Sequence, residues 1–375
     1  MFKSLMLLLF LDNMDERLLK HAQILVDHST KVQPGDMVLI RYTDYGLGLA
    51  KAVYETVAKR SAIPTIVQVP TESFRALYDY TPEEYLAKTP SIDLAAFKAM
   101  DVLISIRGED NLKSLKSVDK KKISIRNKAT KPLLDEYMGK RWVLTQAPDA
   151  ISYAQEAEMS SREYEDFVFK SVIHDWTNER TKLQKISDTM DKTSQVTIRG
   201  VDTDLTFSIK GRKSVIDDGE HNMPGGEVFT APVEDSAEGK VYFDLPSILF
   251  GNEARDVALK FSRGEVVDYK AGKGEDFLKA MLETDDNITE KWSRRLGELG
   301  IGTNYGITQF TRNILFDEKI GGTIHLALGK SYPHCLGKNM SSIHWDMIKN
   351  MKGGELIFDD VVVQKDGAFV QDILG

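Results

Sequence analysis

The sequence predicts two domains: an α/β N-terminal domain with a parallel-type sheet, then a mixed α+β domain of many short strands. Three observations lead there. The chain has 375 residues, and a single core serves about 100–200 of them. Its first half alternates short apolar runs with helical spacings, the pattern of strands joined by crossover helices. Near residue 190 that pattern gives way to alternating strands and glycine-rich turns. The expected divisions are residues 1–13 as an N-terminal extension, 14–190 as the α/β domain and 191–375 as the second domain.

The extension is expected because Leu5 to Leu11 is too short for a secretory signal, and far short of the about 20 residues that span a bilayer. Met14 then makes a natural start. From Glu16 to Val32, Leu18, Ala22, Leu25 and Val26 fall on one helical face. Pro34-Gly35-Asp36 turns the chain into an apolar strand, Met37 to Ile40. Leu47 to Arg60 reads as a helix, and Pro64 to Val69, Val102 to Ile106 and Trp142 to Thr145 read as further strands. Short apolar strands separated by helices pair in parallel, with helices covering both faces. Ser160 with Glu163 forms a capping box, from which one long helix is expected over Arg162 to Lys182, with His174 packed on its apolar face. In the second domain, Gln195 to Ile198 and Leu205 to Ile209 alternate around a Gly200–Asp204 turn, an antiparallel hairpin. A helix is expected at Gly274 to Glu283.

Composition excludes several classes. With 42% hydrophobic and 28% charged residues the chain is neither disordered nor fibrous. A net charge of −8 with both signs interspersed leaves no basic stripe for nucleic acid. One cysteine, Cys335, permits neither an internal disulfide nor a cysteine-rich zinc site, which fits a reducing, cytoplasmic setting. Cys335 reads as a packing residue, since sequence adjacency to His334 does not make that imidazole its base.

The chemistry concentrates near the C-terminus. In Thr323–Leu328, Ile324, Leu326 and Leu328 share one strand face while Thr323, His325 and Ala327 share the other. In Ser342–Met347, Ile343, Trp345 and Met347 are apolar and Ser342, His344 and Asp346 polar. Each segment buries one side and aims a histidine the other way. His344 and Asp346 project together, an imidazole–carboxylate pair suited to a divalent metal. Glu227, after Gly225-Gly226, and Glu298, within Leu296–Gly302, are acids set among small and apolar residues, and Glu318 precedes Gly321-Gly322. Two imidazoles and several isolated acids suit a two-metal hydrolytic site. Gly329-Lys330-Ser331 lacks the first glycine of a phosphate loop, and Gly300-Ile301-Gly302 with Gly306 has the wrong spacing for a dinucleotide fingerprint.

Four runs together resemble the thermophilic aminopeptidase family, peptidase family M29. They are Gly225–Pro232, Leu296–Asn304, Asp317–Gly329 and Ser341–Asp346. The resemblance extends from about Met14 to the C-terminus. It implies a metal-carrying C-terminal domain and the removal of single residues from peptides with a free N-terminus. It also implies two divalent ions (zinc, cobalt, manganese or magnesium) and a homodimer, while charge and the short apolar run argue against a nucleic-acid partner and a membrane span. Carried over by motif, the ligands are Glu227, Glu298, His325, Tyr332, His344 and Asp346. Glu318 enters as ligand or general base, and Glu227 is the other candidate base. The alternative is a non-haem iron dioxygenase using only His325, His344 and Asp346, a two-histidine, one-carboxylate set.

Overall fold

The computed structural model describes residues 15–370, so the expected extension at residues 1–13 lies outside the described part. The chain forms two compact units. One comprises the residues up to His174 together with Gly219–Pro224, the other Asp175–Asp218 and everything from Gly225 onward.

The first unit is built on a parallel sheet in the order Ile63–Gln68, Met37–Tyr42, Val102–Arg107, Arg141–Gln146, Asn222–Met223. Val38, Ile40, Val102, Ile104 and Val143 are almost wholly buried, as strands covered on both faces require. The helix Glu16–Gln23 runs on into a π-helical stretch, Ile24–Ser29, and the helix Leu47–Lys59 follows the first strand. All four strands expected from sequence form, each within a residue or two of its expected bounds.

The capping box at Ser160 forms, but the helix it starts stops at Val172. A second helix, Trp176–Met190, begins where the Asp175 side chain accepts from Asn178 N–H at 3.1 Å. The expected single helix to Lys182 is therefore two. Apolar periodicity persists across the break, while a side chain able to cap starts a second helix. His174 sits half-buried in that break rather than on a helix face. Trp176–Met190 packs on the strands Val215–Asp217 and Glu227–Thr230. The units accordingly divide at His174/Asp175, and the short Gly219–Pro224 segment returns to the first unit.

The second unit holds two antiparallel sheets. One has eight strands, in the order Glu265–Lys270, Val257–Ser262, Glu238–Phe243, Thr203–Ser208, Gln195–Gly200, Glu355–Phe358, Val361–Lys365, Ala368–Phe369. The other has five, in the order His344–Asn350, Thr323–Gly329, Leu296–Gly302, Glu227–Thr230, Val215–Asp217. Both contribute to one core. Val196, Ile198, Phe207, Phe243 and Phe261 come from the large sheet, and Val228, Leu299, Ile301, Ile324, Leu326, Trp345 and Met347 from the small one. The expected hairpin and the helix, observed as Glu275–Leu282, both form here. Among the described residues no helix is long and apolar enough to cross a membrane.

Candidate metal centre

The face of the five-stranded sheet opposite that core carries the acids and histidines. Alternation puts Val228, Leu299, Ile301, Ile324, Leu326, Trp345 and Met347 inward, and so turns Glu227, His325, His344 and Asp346 outward together. Strand pairing then places a small residue opposite each. Glu227 faces Gly302 and His325 faces Gly300. Asp346 faces Ala327, and His344 faces Gly329. At Gly300 the requirement is strict, because a Cβ there would lie 2.0 Å from the His325 ring.

Glu298 reaches this face by an irregularity. Leu296 pairs with Leu328 and packs in the core, whereas Glu298 pairs with Ala327, so two residues oppose one across Gly297. That one-residue bulge turns Glu298 out of the core and toward the histidines.

The result is two overlapping groups, Glu227–Glu298–His325 and Glu298–His344–Asp346, each with its candidate ligand atoms within 4.8 Å of one another. His325 Nε2 lies 3.0 Å from Glu298 Oε1 and 3.9 Å from Glu227 Oε2. His344 Nε2 lies 3.3 Å from Asp346 Oδ1 and 3.8 Å from Glu298 Oε2. Each imidazole is oriented from behind. His325 Nδ1–H donates to the Glu318 carbonyl at 3.1 Å, and His344 Nδ1–H to the Lys330 carbonyl at 2.7 Å. This leaves both Nε2 atoms facing the acids, the arrangement of metal-binding histidines.

The residues fit a cation. Glu227 Oε2, Glu298 Oε2 and Asp346 Oδ1 are buried with no hydrogen-bond partner. Buried carboxylate oxygens without partners are expensive unless a cation takes them. Protons show the same pull. Burial, then the charge of Glu318, raises Glu227 well above the usual carboxylate range. Burial also raises Glu298, against its hydrogen bond from His325. Burial works to lower His325, but the Glu298 hydrogen bond and the charges of Glu227 and Asp346 lift it to about 10. His344 likewise reaches about 10 against burial, through Asp346 and Glu298. Asp346, which burial alone would raise, is held at about 2 chiefly by His344. Such a cluster takes up positive charge, and cations and protons compete for it.

The other sequence candidates lie around this nucleus. The Tyr332 ring stands 5.1 Å from that of His344, with Phe229 and His334 rings against it. Burial and the surrounding carboxylates push its phenol pKa upward. Glu318 follows the short helix Ile314–Asp317; its carbonyl orients His325 and its carboxylate contacts Lys319. It stands in neither ligand group. Cys335 is buried, and burial pushes its thiol up to about 12. The His334 imidazole stacks on Tyr332, which matches the packing role expected for Cys335. Sequence reasoning missed Lys319, wholly buried beside Glu318. The only signal was a lysine between an acid and an apolar turn.

The chain is similar over most of its length to several known proteins. Residues 14–362 match the model of the thermophilic metalloprotease (M29) family. Aminopeptidase AmpS of Bacillus subtilis is 28% identical, with 88% of each chain aligned. Aminopeptidase 2 of Geobacillus stearothermophilus is 25% identical over 85% of this chain and 84% of its own. Among solved structures, AmpT from Thermus thermophilus shares the fold at a TM-score of 0.80 and 23% identity, covering 95% of this chain and 99% of that one. A 2,5-dihydroxypyridine dioxygenase from Pseudomonas putida shares it more distantly, at 0.59 and 15%, over 95% and 96%. With the family matched over nearly the whole chain and its buried acids and histidines gathered on one sheet face, the protein belongs to the M29 family of metallopeptidases and is a peptide hydrolase.

Proposed function

We propose that this metallo-aminopeptidase removes single residues from the N-terminus of peptides, using two divalent cations. Glu227, Glu298 and His325 would hold one, and Glu298, His344 and Asp346 the other, with Tyr332 completing the set. The observation that carries this reading is the sharing of Glu298 by both ligand groups, so that this one carboxylate would help hold each of two ions. Zinc, cobalt, manganese and magnesium all suit a set of carboxylates and imidazoles. Bound there, such ions lower the pKa of water and polarise a carbonyl oxygen.

The chain's own residues supply the proton chemistry and the selection. Glu318, outside both ligand groups but close enough to raise Glu227 by its charge, is the general base. Its carboxylate accepts a proton from the attacking water and passes it to the leaving amine as the peptide C–N bond breaks. Glu227, buried and within the first group, is assigned to metal holding. The carboxylate-rich face favours a substrate's free α-ammonium, and an acylated N-terminus would forfeit that attraction.

The dioxygenase alternative needs His325, His344 and Asp346 as one triad. Here His325 groups with Glu227 and Glu298, and the other two residues group separately around Glu298. This supports the peptidase reading, since likeness at 15% identity concerns the fold alone. A cytoplasmic homodimer belongs to the same proposal. A panel of aminoacyl and N-acetylaminoacyl substrates, with and without chelator, tests it. Cleavage confined to free-amine substrates and abolished by chelator is expected; turnover of acetylated substrates would refute the exopeptidase assignment.

A further inference from the structure

Lys319 is wholly buried, yet it carries a charge that packing alone does not require. Its ammonium contacts the Glu318 carboxylate and lies 3.4 Å from Asp217 Oδ2. Asp217 is the strand partner of Glu227, so the ammonium stands between two acids that both neighbour a ligand group. Burial opposes the charge, but Glu318, Asp217 and Glu227 outweigh it and keep the lysine protonated. The backbone at this residue is fixed on both sides. Its N–H donates to the Phe316 carbonyl at 3.0 Å, and its carbonyl accepts from Asn304 N–H at 2.9 Å. A buried cation is retained only where its partners compensate desolvation, and apolar replacement of such ion pairs is often neutral for folding. The charge therefore calls for a reason at the site itself.

We infer that Lys319 is a positioning residue: its ammonium ties down one oxygen of the Glu318 carboxylate, which sets Glu318 apart from the metal-holding acids and leaves it free to accept the proton of the attacking water. This rests on the reading of Glu318 as the base. A carboxylate already paired with an ammonium gains less from a metal ion, and its geometry is fixed before substrate arrives. Glu227, with an oxygen that lacks a partner, is left as the acid that a cation would take.

A double-mutant cycle on the full, metal-reconstituted chain tests the inference. Lys319→Met should retain wild-type metal content and KM while kcat falls about 100-fold, the scale of a general base disabled. Glu318→Gln should fall similarly, and Glu318→Gln/Lys319→Met should be no slower than Glu318→Gln alone. The double variant removes both charges together, so the comparison with Glu318→Gln holds even if Lys319→Met does not fold. If Lys319→Met keeps full kcat, or loses activity only by losing metal, the positioning role is overturned. It is equally overturned if the double variant is a further tenfold slower than Glu318→Gln at equal metal content, and the base assignment then survives. Full activity in Glu318→Gln itself would instead remove the base reading, and the positioning role with it.

Discussion

Leu296 and Glu298 stand two residues apart on one strand yet face opposite sides of the sheet, because the bulge at Gly297 inserts one residue between their pairings. Without it, Glu298 would follow Leu296 into the core and neither ligand group would close. Glu298→Gln is nearly isosteric and keeps the bulge, so the protein should fold. It should lose more activity than the about 10–100-fold that altering an outer-shell partner costs. Circular dichroism with kcat/KM checks both halves of this expectation.

Gly300 faces His325 with no room for a methyl group. Gly300→Ala must displace the imidazole or spread the strands, at a cost of about 1–3 kcal/mol for overpacking. Metal affinity should fall along with Tm, and calorimetric metal titration of the refolded variant measures it. A variant that binds metal as wild type would mean that His325 is not held where it stands.

Metal binding should release protons. His325 and His344 hold theirs up to about pH 10 in the metal-free site, against burial, because the acids around them are buried with them. Metal requires both imidazoles neutral. At pH 7.5 the two imidazole protons should therefore leave as the site fills, and affinity should keep rising with pH well above the 6.5 of a free imidazole. Titration in buffers of different ionisation enthalpy counts the protons.

His21 makes the first unit acid-sensitive. It is wholly buried, and burial lowers it to about 3; its Nε2 lies 2.9 Å from Thr145 Oγ1. Its folded pKa is below the unfolded 6.5, so the unfolded chain binds more protons between pH 6.5 and 3. The stability it contributes is complete above 6.5 and is lost as pH falls through that window, at up to about 1.4 kcal/mol per pH unit. Tm measured from pH 7 to pH 5 should drop more steeply for wild type than for His21→Gln.

Cys335 should be a bystander. With its thiol buried and pushed up to about 12, little thiolate is available at neutral pH. Iodoacetamide should leave the native enzyme active, and Cys335→Ala should retain kcat.

Much of this was legible in the sequence, for definite reasons. Strand alternation alone paired His344 with Asp346 and turned His325 from Ile324 and Leu326. The N-terminal strands announced themselves as short apolar runs. What stayed hidden depends on neighbours across strands. The small residues opposite each candidate ligand acquire meaning only once register is known, and a bulge at Gly297 is invisible to periodicity. The restart of the helix at Asp175 looked like continuation because the apolar spacing carries across it. Lys319 could not be distinguished from a solvated lysine until the fold buried it and brought Asp217 to it from a distant strand.

On the proposed reading Glu298 serves two cation sites at once. Metal analysis of the chain after saturation with cobalt, zinc or manganese and removal of excess tests it most directly. Two ions per chain are expected for wild type and at most one for Glu298→Gln. A single ion in wild type, above all a single iron in protein as isolated, would contradict the account.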